Sequence, residues 1–267
     1  MLVRTDILYI SHGGGPMPLL ADPGHQAMIE ALQQKAQQLP KPDAILVISA
    51  HWEAAQATVT SSPQPSLIYD YNGFPEAAYS IQYRSPGAPK LTDFIVQTLQ
   101  NEGLAASKDA SRGLDHGVFV PLKIMFPEAD IPVLQLSLLS SLDARSHLEL
   151  GRALHALKGQ NILVIGSGFS FHNMRAFYQS GVQEDSQNTE FESWLKDTCC
   201  NTTLGEAERY EQLANWQQAP HARYCHPREE HLLPLHVCYG LAGQAATEHR
   251  SVEVLGKQAS MLHWVVA

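Results

Sequence analysis

Short apolar segments recur along the chain at the spacing that buried strands produce. Residues 44–48 (AILVI) are apolar throughout, which is typical of a parallel strand covered on both faces. Other short runs rich in apolar and β-branched residues predict six further strands. These lie at residues 7–10, 57–61, 133–138, 161–166, 252–255 and 262–266.

Between the strands, apolar residues recur at helical spacing. In residues 26–39 they fall on one helical face, and Pro40 and Pro42 follow at once and end the helix. Comparable patterns predict further helices at residues 91–99, 121–125, 143–157, 191–198, 206–216 and 231–242. This alternation predicts an α/β fold, with a largely parallel or mixed sheet covered by helices on both faces. Since no repeat and no long linker interrupts it, residues 1–267 are expected to form a single domain.

Composition narrows the possible partners. The 267 residues include 18 Lys and Arg against 27 Asp and Glu, a formal net charge of -9. This acidic balance argues against nonspecific binding to nucleic acid or to acidic membranes. Apolar runs are far shorter than a membrane span, and the first 20 residues lack a secretory pattern. Four cysteines without a CxxC motif favour a reduced, cytoplasmic location. The oligomeric state cannot be predicted.

Three of the 13 histidines share one context. His12, His51 and His172 each follow a predicted strand, and His12 is followed by three glycines. Because ligands of open α/β sheets bind beyond the carboxyl ends of the strands, these imidazoles are expected to lie at one edge. Imidazole is a common ligand of zinc, iron and copper, so a shared metal ion is the economical explanation.

Two more candidates come from other segments. Asp115 and His116 lie between glycines in a predicted loop, and His231 begins the helix predicted at 231–242. Histidines recur every five residues from 221 to 236, which is not a helical period, so at most one or two of them are expected to matter. Other catalytic motifs are incomplete or absent. Ile165 replaces the first glycine of a GxSxG nucleophile elbow, and no phosphate-binding glycine motif is present.

An ordered series of motifs resembles the class III extradiol ring-cleavage dioxygenases, in the branch of 4,5-DOPA dioxygenase. Any one motif is weak, but the series spans residues 11–235 in order. It comprises SHGGGP (11–16), SAHW (49–52), YNGFP (71–75) with Tyr79 and Tyr83, SPGAP (85–89), LDHG (114–117), PEADIPV (127–133), GSG (166–168) with His172-Asn173, and EHLLPL (230–235).

The resemblance implies a three-layer α/β/α domain that holds one divalent metal ion, Fe(II) for activity or Zn(II) as found. It implies insertion of O₂ into a small catechol-type aromatic diol, such as DOPA or a related diol, with ring opening. His12, His51 and His231 match the metal ligands of the family. His172 matches a histidine that is either a fourth ligand or the acid/base. His116 matches a catalytic position near the substrate, and Asp115 and His116 are expected to bind the substrate.

Many relatives complete a two-His-one-carboxylate site with a glutamate, whereas an all-histidine site suits zinc as well as iron. Two alternative functions therefore remain. The first is a zinc hydrolase, which would use the same histidines with Glu53 or Glu230 as the base. A non-enzymatic binding protein of the Memo type would share the fold and need not retain a metal.

Overall fold

The computed structural model describes residues 4–177 and 185–267, and their strands form one eight-stranded mixed sheet. The strands are β1 (Thr5–Ser11), β2 (Ala44–Ala54), β3 (Ala57–Thr60), β4 (Ala106–Asp109), β5 (Val133–Leu139), β6 (Ile162–Gly168), β7 (Glu248–Val254) and β8 (Lys257–Val266). Their order across the sheet is β4-β3-β5-β2-β6-β1-β8-β7. The central strands β5, β2, β6 and β1 are parallel, whereas β8 and β7 add an antiparallel ribbon at one side.

Nine α-helices lie within the described residues. They are α1 (Gln26–Gln38), α2 (Pro89–Asn101), α3 (His116–Met125), α4 (Ala144–Ala153), α5 (Met174–Phe177), α6 (Ser186–Cys200), α7 (Glu206–Ala214), α8 (Ala222–Cys225) and α9 (Leu233–Ala242). Short 3-10 helices occupy connecting segments, among them Met17–Leu20 and His155–Leu157. None of the helices in the described ranges is long and apolar enough to cross a membrane.

Successive residues of β6 show how the helices cover both faces of the sheet. A side chain at Gly166 would collide with the carbonyl of Pro234 in α9, so glycine permits that helix to pack closely. The next residue, Ser167, points to the other face and donates a hydrogen bond to the carbonyl of Gly117 in α3. The predicted α/β fold, with a mixed sheet between two helical layers, is confirmed.

Several predicted boundaries differ from the observed ones. The second strand continues six residues beyond Ile48, so that His51 lies within it. The helix predicted at 121–125 already begins at His116, and the helix predicted from His231 begins at Leu233. The edge strand β4 was not predicted, because its sequence ASKD is short and polar.

Candidate metal centre

Five histidines converge at the carboxyl edge of the parallel strands, where they line one cavity of about 500 Å³. They are His12, His51, His116, His172 and His231, which the sequence singled out from 13 histidines. Each is delivered by a different segment of the chain. The cavity therefore depends on the packing of β1, β2 and β6 with α3 and with the segment before α9.

Two of these histidines come from the sheet itself. His12 directly follows β1, and its backbone N–H donates to the carbonyl of Gly168 at 3.2 Å. His51 lies inside β2 rather than after it, at an interruption of the pairing with β5 between Ile48 and Glu53. A local irregularity of this kind can redirect a side chain towards a site at the sheet edge.

His172 and His231 are held next to each other by backbone contacts. His172 lies four residues after β6, and its N–H donates to the carbonyl of Cys225 at 2.8 Å. The carbonyl of His231 accepts hydrogen bonds from the N–H of Phe169 at 3.0 Å and from the Tyr9 hydroxyl at 2.9 Å. These bonds fix the position of His231 although it precedes α9 by two residues.

His116 and Asp115 do not lie in a loop, as the sequence suggested, but at the beginning of α3. His116 is the first residue of the helix and Asp115 is its N-cap residue. Asp70, which the sequence analysis did not single out, accepts from both the backbone N–H of His116, at 3.0 Å, and its Nδ1, at 2.8 Å. Two hydrogen bonds to one carboxylate oxygen orient the imidazole, and they leave its Nε2 unengaged by Asp70.

A proline in α3 determines the tautomer of His12. Pro121 has no N–H, so the carbonyl of Gly117, four residues earlier, lacks its helical donor. The Ser167 hydroxyl donates to that carbonyl instead, and it lies 3.0 Å from Nδ1 of His12. Because the hydroxyl proton is already used, Nδ1 of His12 must be the donor to the Ser167 oxygen. Nε2 of His12 therefore carries a lone pair and is directed at the cavity.

Glu230 is the hydrogen-bond acceptor behind two other histidines, His231 and His172. Its Oε1 lies 2.9 Å from Nδ1 of His231 and 3.3 Å from Nδ1 of His172. Although burial opposes ionisation, these two histidines hold the pKa of the Glu230 carboxyl far below its usual value. A carboxylate that accepts from Nδ1 leaves Nε2 of His231 as a lone-pair donor, an arrangement common around metal-binding histidines.

The spacing of three rings fits a single metal ion. Ring centroids of His12, His51 and His231 are 4.9, 5.3 and 5.0 Å apart, which is close to an equilateral triangle. Three imidazoles bound to one ion through nitrogens at about 2.1 Å would have centroids roughly 5 Å apart at tetrahedral angles. Nε2 of His12 and Nε2 of His51 are already only 3.1 Å apart. The donor set of this triangle therefore suits a divalent cation.

Two close ring pairs do not fit one ion equally well. His51 and His116 have centroids 3.9 Å apart, and His172 stacks on His231 at 3.4 Å with an interplanar angle of 14°. Such pairs are too close for both rings to bind the same ion at tetrahedral angles. Ligand atoms nevertheless lie within 4.8 Å of one another in two groups, one of His12, His51 and His116 and one of His172, Glu230 and His231. His116 is therefore the alternative to His231 as the third metal ligand.

The imidazoles of the triangle are neutral. Burial, reinforced by the neighbouring histidines, holds the pKa of His12 and of His51 well below the usual value. For His231, burial and the adjacent His172 outweigh the effect of Glu230 and lower the pKa to about 3. Since only a neutral imidazole can donate a lone pair to a metal, this electrostatic environment favours ligation.

Asp115 lies beneath the cavity and not in its lining, contrary to the predicted contact with substrate. Its fully buried carboxylate accepts from the Ser49 hydroxyl at 2.7 Å, from the Gln135 amide and from Arg112 at 3.1 Å. Arg112 also donates to the carbonyl of His51 at 3.2 Å. Asp115 therefore ties β2, β5 and α3 together below the histidines.

The carboxylates that a zinc hydrolase would need are both engaged. Glu53 forms a bidentate ion pair with Arg228, with distances of 2.7 and 2.8 Å. Glu230 is bound by His231, by His172 and, at 3.2 Å, by the same Arg228. Neither carboxylate is left to act as the base for a water molecule.

Comparison with known proteins points to one family. The family model described as the catalytic LigB subunit of aromatic ring-opening dioxygenase matches residues 6–263. The dioxygenase tasH of Hapsidospora irregularis is 38% identical, over 97% of this chain and 85% of that protein. The 4,5-DOPA dioxygenase extradiol of Beta vulgaris is 39% identical, over 90% of this chain and 87% of that protein. The 4,5-DOPA dioxygenase extradiol of Escherichia coli (strain K12) is 36% identical, over 87% of this chain and 83% of that protein.

A solved structure extends the agreement to three dimensions. The crystal structure of an uncharacterized protein from Escherichia coli K12 superposes with a TM-score of 0.76 and 29% sequence identity. The match covers 99% of this chain and 100% of the other.

Proposed function

The chain belongs to the family of the catalytic LigB subunit of aromatic ring-opening dioxygenase, and from this premise we propose a specific site for the reaction. His12, His51 and His231 would hold one Fe(II) ion, and a small catechol-type diol would bind beside it with O₂. His116 and His172 are not ligands in the active state but move protons. The family membership confirms the expectation of an extradiol dioxygenase over the hydrolase and binding-protein alternatives.

The single observation that carries this assignment is the triangle of ring centroids at 4.9, 5.3 and 5.0 Å. Its support comes from the partners behind the rings. Ser167 engages Nδ1 of His12 and Glu230 engages Nδ1 of His231, so that Nε2 of each is available. The same triangle with His116 in place of His231 would contain a side of 3.9 Å.

The choice of iron over zinc follows from the reaction rather than from the ligands. Imidazole suits both metals. Bound Fe(II) would supply open coordination positions for the diol and the redox change that the reaction with O₂ needs, which zinc does not offer. Zinc in the same site would be expected to bind the diol without turnover.

His116 is placed to take a proton from the diol. Nδ1 of His116 donates to Asp70, and the ring lines the cavity, so Nε2 is the atom that can accept. The nearby Asp70 carboxylate, whose pKa its contacts with His116 keep low despite partial burial, would stabilise the imidazolium that results. A positioned imidazole of this kind is a common general base.

His172 is suited to return a proton on the other side of the cavity. It stacks on His231 and shares Glu230 with it, so its ring is held close to the ligand triangle without belonging to it. Phe169 and Phe177, which also line the cavity, would limit the access of water to this proton.

The test is anaerobic reconstitution with Fe(II), followed by a screen of catechols for O₂ uptake and yellow ring-opened products. We expect stoichiometric O₂ uptake with at least one catechol, and no uptake by protein loaded with Zn(II). Equal activity with both metals, or none with any catechol at full iron loading, would contradict the proposal.

A further inference from the structure

We propose that the diol carries an uncharged, apolar ring substituent, which lies between two aromatic walls of the cavity. This inference rests on the proposed function, because it takes the cavity to be the binding site of the diol. The walls, the charges around the cavity and the backbone donors of the glycine loop each support it.

The first wall consists of Tyr71 and Phe74, in the segment after β3. Their rings meet edge to face, with centroids 5.5 Å apart, and Tyr71 lies 5.8 Å from His116. The Tyr71 hydroxyl donates to the carbonyl of Ala78 at 2.6 Å, so its only proton is already used. Beside His116, this wall therefore presents aromatic carbon rather than a hydrogen-bond donor.

The second wall consists of Phe169 and Phe177, whose centroids are 5.7 Å apart. Met174, half of whose surface is exposed, lies at the rim of the cavity next to this wall. Met17 and Leu255 close the end of the cavity near the glycine loop. Apart from the histidines, the lining offers thioether, aliphatic and aromatic groups.

Charged side chains are missing from this lining. Within residues 4–177 and 185–267, no Lys, Arg, Asp or Glu lines the cavity. An anionic substituent would therefore find no cation along the described walls.

The two arginines that touch site residues are already paired. Arg228 bridges Glu53 at 2.7 Å and Glu230 at 3.2 Å. Arg112 donates to Asp115 at 3.1 Å, below the cavity, and stacks on Trp52. To bind a carboxylate on the substrate, either arginine would have to give up an existing ion pair.

Two backbone N–H groups of the glycine loop after His12 are engaged within the protein. The N–H of Gly13 donates to the Ser11 hydroxyl at 3.3 Å, and the N–H of Gly14 donates to Nε2 of His25 at 3.0 Å. Glycine-rich loops bind anions through free backbone N–H groups. Here these two groups are already satisfied within the protein.

A carboxylate brought between these walls would lose its hydration without gaining a partner, whereas an uncharged substituent would bury apolar surface. The test compares 3,4-dihydroxyphenylacetate with its methyl ester, which differ mainly in charge. With Fe(II)-loaded protein, we expect kcat/KM from O₂ uptake to be at least about tenfold higher for the ester, as expected for an uncompensated polar group. An equal or higher value for the acid would overturn the inference.

A variant at the rim should reduce the preference for the ester by charge alone. Met174→Lys should raise kcat/KM for the acid by about threefold relative to Met174→Gln, the size of an exposed ion pair. Met174 is exposed, so folding is not at risk. Arg175→Ala, at the neighbouring exposed position outside the lining, should leave the preference for the ester unchanged. A gain in preference for the ester would show instead that Arg175 binds the acid.

Calorimetry on Zn(II)-loaded protein separates this inference from the proposed function, because it measures binding without turnover. Tighter binding of the ester supports the apolar substituent even if no catechol is cleaved by the iron form. Equal binding of acid and ester, or binding of neither, overturns it. Cleavage of unsubstituted catechol without a preference for the ester would leave the proposed function standing and remove only this inference.

Discussion

Two buried histidines, one in the cavity at the sheet edge and one in the helical layer of α4 and α9, differ in how their ring nitrogens are engaged. His12 in the cavity and His147 in α4 are both almost completely buried, and burial lowers the pKa of both. In His147, Nδ1 donates to the carbonyl of Asp143 at 2.7 Å, and Nε2 accepts from the N–H of Leu139 at 3.0 Å. In His12, a group outside the histidine cluster engages only Nδ1, and Nε2 faces Nε2 of His51 at 3.1 Å.

Neither burial nor a lowered pKa therefore separates a functional histidine from a structural one in this chain. The second ring nitrogen separates His12 from His147. It is not a general criterion, because buried His226 lies outside the cavity lining with an Nδ1 that has no hydrogen-bond partner among the described residues. His25 follows the pattern of His147, because Asp22 accepts from Nδ1 and the N–H of Gly14 donates to Nε2. A buried ring nitrogen without a hydrogen-bond partner costs free energy, and a metal ion bound to it would compensate for that cost.

Removal of one histidine from each region should have the most different effects on metal binding. His231→Ala should weaken Fe(II) binding by more than about 100-fold, since even partners behind the ligands typically contribute 10–100-fold. Ring-opening activity should fall to background. His147→Ala, the matched control, should keep one iron per chain. Metal analysis after anaerobic dialysis measures both, and iron retained at wild-type affinity by His231→Ala would contradict the ligand assignment.

His116 is the residue in the cavity that this comparison leaves most open. His116→Ala should keep its metal, while kcat falls by about 10²–10⁴, as expected for the loss of a positioned proton carrier. Iron content and O₂ uptake of the same sample report the two effects separately. Loss of iron would make His116 a ligand in place of His231.

The contribution of Glu230 to metal binding can be tested without removing a histidine. Glu230→Gln keeps the shape of the side chain but removes the charge that His231 and His172 share. We expect a loss of about 10–100-fold in metal affinity, the usual size for such partners. Glu53→Gln serves as the control, because it removes the charge of the other carboxylate bound to Arg228 and leaves Glu230 intact. This variant should bind iron normally.

His147 should contribute to the pH dependence of the free energy of unfolding. Its pKa is lowered in the folded protein, so the unfolded chain binds a proton below pH of about 6.5 that the native state does not bind. The free energy of unfolding should therefore fall as the pH drops from 7 to 5. In metal-free His147→Ala this slope should be smaller by up to about 1.4 kcal/mol per pH unit. Urea titrations at pH 5, 6 and 7 measure it, and an unchanged slope would show that His147 is already protonated in the native state.

Most of the fold could be predicted because the central strands β1, β5 and β6 and the first half of β2 are buried on both faces. The boundaries that were missed have local causes. Residues 49–54 (SAHWEA) mix small, polar and aromatic groups, so the continuation of β2 through His51 leaves no apolar pattern. Pro121 obscured the start of α3, since a proline inside a helix is normally a sign of its beginning or end.

The histidines of the site could be predicted, but their partners could not. Asp70 lies 46 residues from His116, and Ser167 lies 155 residues from His12. The hydrogen bond from Ser167 exists because Pro121 frees the carbonyl of Gly117, a relation that appears only when β6 and α3 pack together. Asp115 was expected at the substrate because it adjoins His116, yet adjacent residues at a helix start point in different directions.

The position of the metal decides between His231 and His116 most directly. Crystals of Fe(II)-loaded protein, measured at the iron absorption edge, should give one anomalous peak at about 2.0–2.2 Å from a ring nitrogen of His12, His51 and His231. Nε2 of His116 should lie beyond bonding distance of that peak. A peak bonded to His12, His51 and His116 instead, with His231 free, would contradict the ligand triangle.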